Sequence, residues 1–292
     1  MDFSSLAPLP GGWSGQTFVA DVAGERSVVR VYPPAERDGV AAEADDAVLR
    51  LVRGLVPVPD VLEVRPADPA ADQPGLLVTA WVHGTRGDEL LPTLGPDDLA
   101  RVGTTLGGLL ADLGGMPFLR AGAFAGPDLA IEPWAMDLPA YVAELEPRLT
   151  HLSVAELDGL REVALEAQTL LDTVTRVCLV HGDLNPKNLL LDPATLGLAA
   201  VLDWEFAHAG HPFTDLGNLL RFDRDLAFST AVLAAYADRS GVAPERALSL
   251  ARAADLFALV ELASRRSANP VAERADRLLR AIARSGDLHR LE

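Results

Sequence analysis

The stretch LVHGDLNPKNLLLD, residues 179–192, constrains this chain more than any other. An apolar run from Val177 to Val180 precedes its polar part and another, Leu189 to Leu191, follows, which predicts strand, loop, strand. A loop mounted between two short strands holds its side chains rigidly, and rigid mounts are where chemistry is placed. His181, Asp183 and Asn188 stand close together in it, with Asp183 and Asn188 spaced D-x-x-x-x-N. A second acid, Asp203, ends a later apolar run in VLDWEFA. The turn DPATLG between NLLLD and LAAVLDWEF predicts a hairpin that carries Asp203 back toward Asn188.

Two oxygen-bearing, metal-seeking side chains and one free carboxylate fit phosphoryl transfer. That reaction needs Mg²⁺ to bridge the nucleotide phosphates, hard oxygen ligands to hold the ion, and a carboxylate to orient the attacking hydroxyl and accept its proton. Asp183 suits the last role; Asn188 and Asp203 suit the metal. The Asn188 carboxamide supplies oxygen without a third negative charge beside the phosphates.

Composition bounds the rest. With 292 residues, 49% of them hydrophobic, the chain is predicted to form a packed globule of one large domain or two lobes. No apolar run approaches the roughly 20 residues that would span a bilayer, so no membrane association is expected. MDFSSLAPLPGGW lacks the basic start and apolar core of a secretory signal. Cys178 is the only cysteine, which excludes an intrachain disulfide and suits a cytoplasmic location. A formal net charge of −17 argues against a nucleic-acid partner. The same charge serves solubility or attracts a cationic substrate, and composition does not separate the two.

Along the chain, QTFVADVAG and RSVVRVY read as paired strands, GVAAEADDAVLRLVRG as a helix, VPVPDVLEV as extended, and GLLVTAWVHG as a central strand ending at a hinge near Gly84. Beyond residue 90 the period becomes helical. Leu99, Val102, Leu106, Leu109 and Leu113 recur at helical steps, and Ser153 with Glu156 forms a capping box. Gly241 ends one late helix and Pro244 starts the next. A small strand-rich lobe, residues 1–83, followed by a larger helical one, residues 84–292, is the expected organisation.

HGDLNPKNLLLD followed by VLDWEFAHAGHPFTDLGNLL resembles the aminoglycoside phosphotransferase and choline kinase group of small-molecule kinases. The H-G-D-x-x-x-x-N motif is matched at His181, Gly182, Asp183 and Asn188, and the later metal-binding acid at Asp203, followed by Trp204 and Glu205. The likeness is strong over residues 177–221, moderate over 11–84 and weak elsewhere. It implies an α+β, protein-kinase-like fold of two lobes, and an enzyme that moves the terminal phosphoryl of ATP, with GTP not excluded, to a hydroxyl in the presence of Mg²⁺. It also implies that Asp215, in FTDLGNLL, braces the catalytic loop, and that His181 bonds within that loop rather than shuttling protons. His208 and His211 are rejected as metal ligands because Mg²⁺ prefers oxygen.

In the small lobe, GGWSGQTF resembles a phosphate-covering turn, with Ser14 and Gly15 as nucleotide contacts, although its glycines, Gly11, Gly12 and Gly15, are not spaced G-x-G-x-x-G. Arg30, in SVVRVY, stands where many kinases carry Lys; it keeps the charge and grips phosphate with two donors. The helix acid that should pair with it is Asp45 by register or Glu43 by residue type. Residues two apart lie on different helix faces, so at most one serves, and Asp45 is preferred. Backbone groups of Ala80 to Val82 are the candidates for the nucleobase, with Trp81 either stacked on the base or in the core.

The acceptor is expected among acids of the helical lobe: Asp137 and Glu144 in EPWAMDLPAYVAELEPRL, and Glu261 in LFALVELASRR. Together with the net charge they favour a cationic hydroxylated acceptor, such as an aminoglycoside or a basic peptide antibiotic. A metabolic kinase for choline, a sugar or an amino alcohol is the alternative. A protein kinase is disfavoured, because H-G-D replaces H-R-D, no D-F-G segment is present, and only a short stretch separates Asp203 from the following helix, leaving little room for a peptide-docking activation loop. A non-catalytic, nucleotide-binding pseudokinase is the third class.

Overall fold

The computed structural model describes residues 6–9, 17–22, 25–34, 36–222 and 225–291. The chain divides into two compact units that interleave along the sequence. The first comprises the chain up to Thr93 together with Ala123–Glu132 and Pro186–Ala207; the second comprises Leu94–Gly122, Pro133–Asn185 and the chain from His208 onward.

The first unit is strand-rich. Its five-stranded antiparallel sheet runs in the order Leu6–Pro8, Thr17–Val22, Glu25–Tyr32, Gly75–Ala80, Val61–Arg65. The uninterrupted apolar run GLLVTA lies inside the sheet, as expected of a strand covered on both faces. Ala20, Val29, Leu76 and Val78 form the core on one side. Because side chains alternate, Arg30 and Tyr32 share the opposite face from Val29, and the Arg30 guanidinium lies 5.3 Å from the Tyr32 ring centre. The helix Ala41–Val52 buries Ala41, Ala44, Asp45, Val48 and Val52. A second, three-stranded sheet in this unit pairs Leu189–Leu191 with Leu198–Val201 and with Thr85–Arg86. The predicted hairpin is therefore present. Its turn is closed by Asp192, whose carboxylate accepts the Ala194 amide at 2.7 Å and the Thr195 amide at 3.2 Å.

The second unit is mainly helical. Val177–Val180 pairs antiparallel with Pro117–Phe118 and with His208–Gly210. The two strands that flank the H-G-D-x-x-x-x-N loop in sequence thus belong to different sheets and different units. Cys178 is fully buried, and that burial pushes its thiol up to about 12, so it stays an inert core residue.

Helices of this unit pack closely. Pro96–Leu113 lies against Leu226–Ser240, and a Cβ placed on Gly107 would meet the Val232 carbonyl oxygen at 2.2 Å. Helix Val154–Leu171 opens with the expected capping box: the Ser153 hydroxyl accepts the Glu156 amide at 3.3 Å, and the Glu156 carboxylate accepts the Ser153 amide at 2.8 Å. The same carboxylate receives Arg280 at 2.9 Å and Arg284 at 3.2 Å from helix Pro270–Ser285, so one side chain caps one helix and tethers another.

Two outcomes follow from this packing. Gly107→Ala gains about 1 kcal/mol of helix propensity. It forces a backbone carbonyl to move, at an overpacking cost of about 1–3 kcal/mol, so we expect net destabilisation in urea titration and a larger loss for Gly107→Leu. The Glu156 carboxyl is opposed by burial, but the Ser153 amide and hydroxyl and Arg280 outweigh this and hold it down at about 2, against 4.5 when free. A depressed folded-state value means that its contribution is complete above the free value and disappears as pH falls through 2. Glu156→Gln should therefore cost about 1–2 kcal/mol at neutral pH, and that deficit relative to the wild type should shrink below about pH 4. Thermal melts at several pH values measure both.

Candidate functional site

The loop that follows Val177–Val180 is held by its backbone. Asp215, in the first turn of helix Thr214–Leu220, accepts the His181 amide at 2.7 Å and the Gly182 amide at 2.9 Å. Asp215 and His181 are both buried. Gly182 takes φ +86°, a left-handed conformation that glycine adopts without strain. The His181 ring nitrogen Nδ1 accepts the Asp183 amide at 3.2 Å, which places its lone pair, not its proton, on that nitrogen. Asn185 donates through its side-chain amide to the Asp183 carboxylate at 2.8 Å and to the Asp183 carbonyl at 3.0 Å. The Asp183 side chain emerges half-buried from a fixed peptide, a geometry suited to accepting a proton from a bound hydroxyl. His181, Asp183 and Asp215 are thus brought together within the second unit.

Arg30, Asn188 and Asp203 lie in the first unit. Hairpin pairing sets Asn188 and Asp203 at the same end of neighbouring strands, and the Leu202 amide donates to the Asn188 carbonyl at 2.8 Å. Asp203 itself sits at φ +64°, a conformation that aspartate tolerates better than most side chains. Its carboxylate and the Asn188 carboxamide are hard oxygen donors on adjoining strands, the donor type that Mg²⁺ takes, one or two from protein and the rest from phosphate and water. Arg30 donates to the Asp203 carboxylate at 2.9 Å and also to Glu205. Burial works against the Arg30 charge, but Tyr32, Glu205, Asp203 and Asp45 together hold its pKa above the ordinary value. Burial likewise raises Glu205; Arg30 opposes that rise, while Asp203 and Asp45 add to it.

The expected pairing of Arg30 with Asp45 is not formed. Asp45, buried, accepts the Tyr32 hydroxyl at 2.7 Å, and Arg30 is taken instead by the two acids of the DWE segment. The long guanidinium reaches across the sheet face, whereas Asp45 is short and already engaged. Of the backbone candidates for a nucleobase, the Ala80 amide donates to the Asp60 carbonyl at 2.8 Å and the Trp81 amide to the Arg26 carbonyl at 3.2 Å. The Ala80 and Trp81 amides are thus engaged, and the Val82 amide is the remaining N–H candidate. Trp81 carries the Arg26 guanidinium over its ring at 5.8 Å. Gly11, Gly12, Ser14 and Gly15 lie outside the described residues.

Among the acids expected to face an acceptor, Asp137 is an N-cap: its carboxylate accepts the Ala140 amide at 2.9 Å at the start of helix Leu138–Leu145. Glu261 accepts the Tyr141 hydroxyl at 3.0 Å and lies 3.9 Å from Arg265. The Tyr141 phenol is raised by burial, then by the Glu261 charge and hydrogen bond and by the charge of exposed Glu144. Glu261 and Glu144 therefore share one tyrosine, while Asp137 serves the backbone. His208 packs its ring against Trp134, with ring centres 5.1 Å apart. His211 is buried, and burial lowers it to about 4, so it stays neutral at physiological pH.

Residue-type reasoning missed Glu205, Asn185 and Asn218. The Asn218 amide donates to the Gly182 carbonyl at 3.1 Å. Asp215 and Asn218 stand three apart, on one helix face, in the otherwise apolar DLGNLL, and that spacing was the available signal.

Among the described residues no helix is long and apolar enough to cross a membrane. Residues 5–250 match the phosphotransferase enzyme family. Acyl-CoA dehydrogenase family member 11 of Mus musculus is 39% identical over 72 residues, 25% of this chain but only 9% of that protein. The aminoglycoside phosphotransferase APH(4)-Ia, in a ternary complex with AMP-PNP and hygromycin B, superposes with a TM-score of 0.69 over 97% of this chain and 94% of its own, at 21% identity. The GDP complex of aminoglycoside 2'-phosphotransferase IIIa gives 0.68 over 96% and 91%, at 18% identity. The fold is that of the kinase-like aminoglycoside phosphotransferases, and the match across most of its length makes this chain a member of the phosphotransferase enzyme family, small-molecule phosphotransferases by class.

Proposed function

We propose that the chain transfers the terminal phosphoryl group of ATP to a hydroxyl of a small, cationic acceptor. The carrying observation is the meeting of Arg30 with Asp203 at 2.9 Å. A strand cation and the acid of the DWE segment, 173 positions apart, adjoin in one unit. Phosphate recognition and metal binding need such a neighbourhood. Arg30 grips the phosphates as a planar, permanently charged fork. Asn188 and Asp203 would hold Mg²⁺, which when bound supplies neutralisation of the phosphate charge. Asp183 orients the acceptor: its hydroxyl oxygen bonds to the terminal phosphorus, the bridging P–O bond to ADP breaks, and the hydroxyl proton passes to Asp183. Residues 1–83 serve the nucleotide, with Ser14 and Gly15 over the phosphates and the Val82 amide against the base. GTP is a further donor to test, given the GDP complex of a related fold.

Support for a cationic acceptor comes from the net charge of −17 and from Glu261 and Glu144 around Tyr141. The hygromycin B bound by APH(4)-Ia points the same way, toward an aminoglycoside and a role in antibiotic resistance. A metabolic kinase is the second reading. Its candidate acceptors are choline, a sugar or an amino alcohol. A cytoplasmic location accords with either.

ADP release is to be measured with MgATP or MgGTP against hygromycin B and other aminoglycosides, choline and glucose. The aminoglycoside reading expects turnover with an aminoglycoside; turnover only with choline or glucose replaces it with the metabolic one. Asp183→Asn should lower kcat by about 10²–10⁴-fold while Mg²⁺–nucleotide binding persists. Asp203→Ala should remove the Mg²⁺-dependent part of nucleotide binding, read by calorimetry with and without the ion. Wild-type turnover in Asp183→Asn would exclude the assigned base.

A further inference from the structure

Three successive peptide groups of the loop are bonded to fixed partners. The His181 and Gly182 amides end on Asp215. The peptide joining Gly182 to Asp183 is held at both ends: its N–H by His181 Nδ1 at 3.2 Å, its C=O by the Asn218 amide at 3.1 Å. The Asn218 side chain, like the His181 ring, must point one way round. Its carbonyl oxygen receives Arg221, which has donors only, and its amide nitrogen must then face the Gly182 carbonyl, which is only an acceptor. Arg221 is fixed in turn: buried, it makes a two-pronged bond to buried Asp255, with Nε at 3.1 and 3.0 Å and a terminal nitrogen at 2.8 Å. Arg252, one turn away on the same helix Pro244–Ser264, donates to the Leu220 and Arg221 carbonyls at 2.6 and 3.0 Å. The end of the short helix that carries Asp215 and Asn218 is thereby secured.

We propose that Asn218 is a positioning residue for catalysis: with its amide oriented by the Arg221–Asp255 pair, it fixes the Gly182–Asp183 peptide and so the aim of the Asp183 carboxylate. The inference rests on the reading of Asp183 as the base. It explains why the position holds Asn. A carboxylate would keep Arg221 but present an acceptor to an acceptor at Gly182, and an apolar side chain would strip the Gly182 carbonyl of the Asn218 donor and leave Arg221 held by Asp255 without Asn218.

Asn218→Asp separates this role from simple support of the fold, because it retains the contact to Arg221. Steady-state ADP release is measured with MgATP and an acceptor mixture of hygromycin B, choline and glucose. Thermal melts and amide hydrogen exchange at residues 181–183 accompany it. We expect kcat to fall by about 10–100-fold with KM for ATP within about twofold, as for a misaimed catalytic group. The melting point should fall by a few degrees with cooperative unfolding retained, since a buried acceptor then faces an acceptor, and the Gly182 and Asp183 amides should exchange faster. The double variant Arg221→Met with Asp255→Leu replaces a buried ion pair by apolar side chains, a change that folds commonly tolerate. It should give the same loss of kcat and faster exchange, and it decides the question should Asn218→Asp fail to fold. Wild-type kcat and exchange in Asn218→Asp, with Asp183→Asn inactive, would overturn the positioning role and leave the phosphotransfer reading intact. Wild-type turnover in Asp183→Asn would overturn both.

Discussion

A carboxylate buried in a protein must be met by donors or it costs several kcal/mol. Asp215 is buried, and the donors that meet it are two consecutive main-chain amides of the His181–Gly182 segment. That one arrangement dictates much else. Two amides converging on a single carboxylate bend the chain sharply, and Gly182 accepts the left-handed conformation that results. The next amide turns back to the His181 ring, and Asp183 emerges on a peptide with no freedom to rotate. Rigidity of this kind comes from hydrogen bonds to the backbone, so it does not depend on the identity of the side chain being aimed. It depends instead on a seven-residue helix staying docked, which is why the neighbouring helix spends Asp255 and Arg252 on holding it.

On the proposed reading, the first unit meets a different electrostatic problem. A phosphate site requires positive charge, yet a metal site requires negative charge nearby. Arg30, Asp203 and Glu205 place both within one cluster, with Tyr32 stacked beneath the guanidinium and Asp45 held off by the tyrosine hydroxyl. One cation against two adjacent carboxylates leaves a negative balance that a divalent ion would reverse, and the neutral Asn188 carboxamide adds an oxygen without deepening it. Arg suits this place better than Lys would, since its fork can keep one donor on an acid while offering another to phosphate.

Periodicity and local chemistry made the elements legible. The Ser153–Glu156 capping box, the Pro244 start, the inner position of GLLVTA and the Leu189–Val201 hairpin are all short-range patterns, and each is present. The H-G-D-x-x-x-x-N spacing placed Asp183 on a rigid loop for the same reason. Long-range choices were less accessible. Sequence register favoured Asp45 as the partner of Arg30, but register counts helical positions and cannot weigh the reach of a guanidinium against an acid 175 residues away. Asp137 read as an acceptor-facing acid, although the following Leu138-Pro139 carries the start signal of a helix and an N-cap role was open to inspection. The interleaving of the units has no marker along the chain at all, because segments such as 186–207 join the first unit through strand pairing rather than through composition.

This contrast also separates what family membership constrains from what it leaves open. The groups assigned to phosphoryl transfer are tied to main-chain atoms and hairpin register, features that survive when most of a sequence has changed. The fold is shared here with structures only 18–21% identical. The acids available to an acceptor are held otherwise. Glu261 is fixed by one side-chain bond to Tyr141, and Glu144 is exposed. A side-chain partner can be exchanged by a single substitution without disturbing a helix, so acceptor preference can drift while the transfer chemistry stays fixed. On the proposed reading, the acceptor is sought in the Tyr141–Glu261 neighbourhood of this particular chain, where a phenol hydrogen-bonded to Glu261 and within the field of Glu144 would offer charge to an amine and a flat apolar face to the carbon skeleton that bears it.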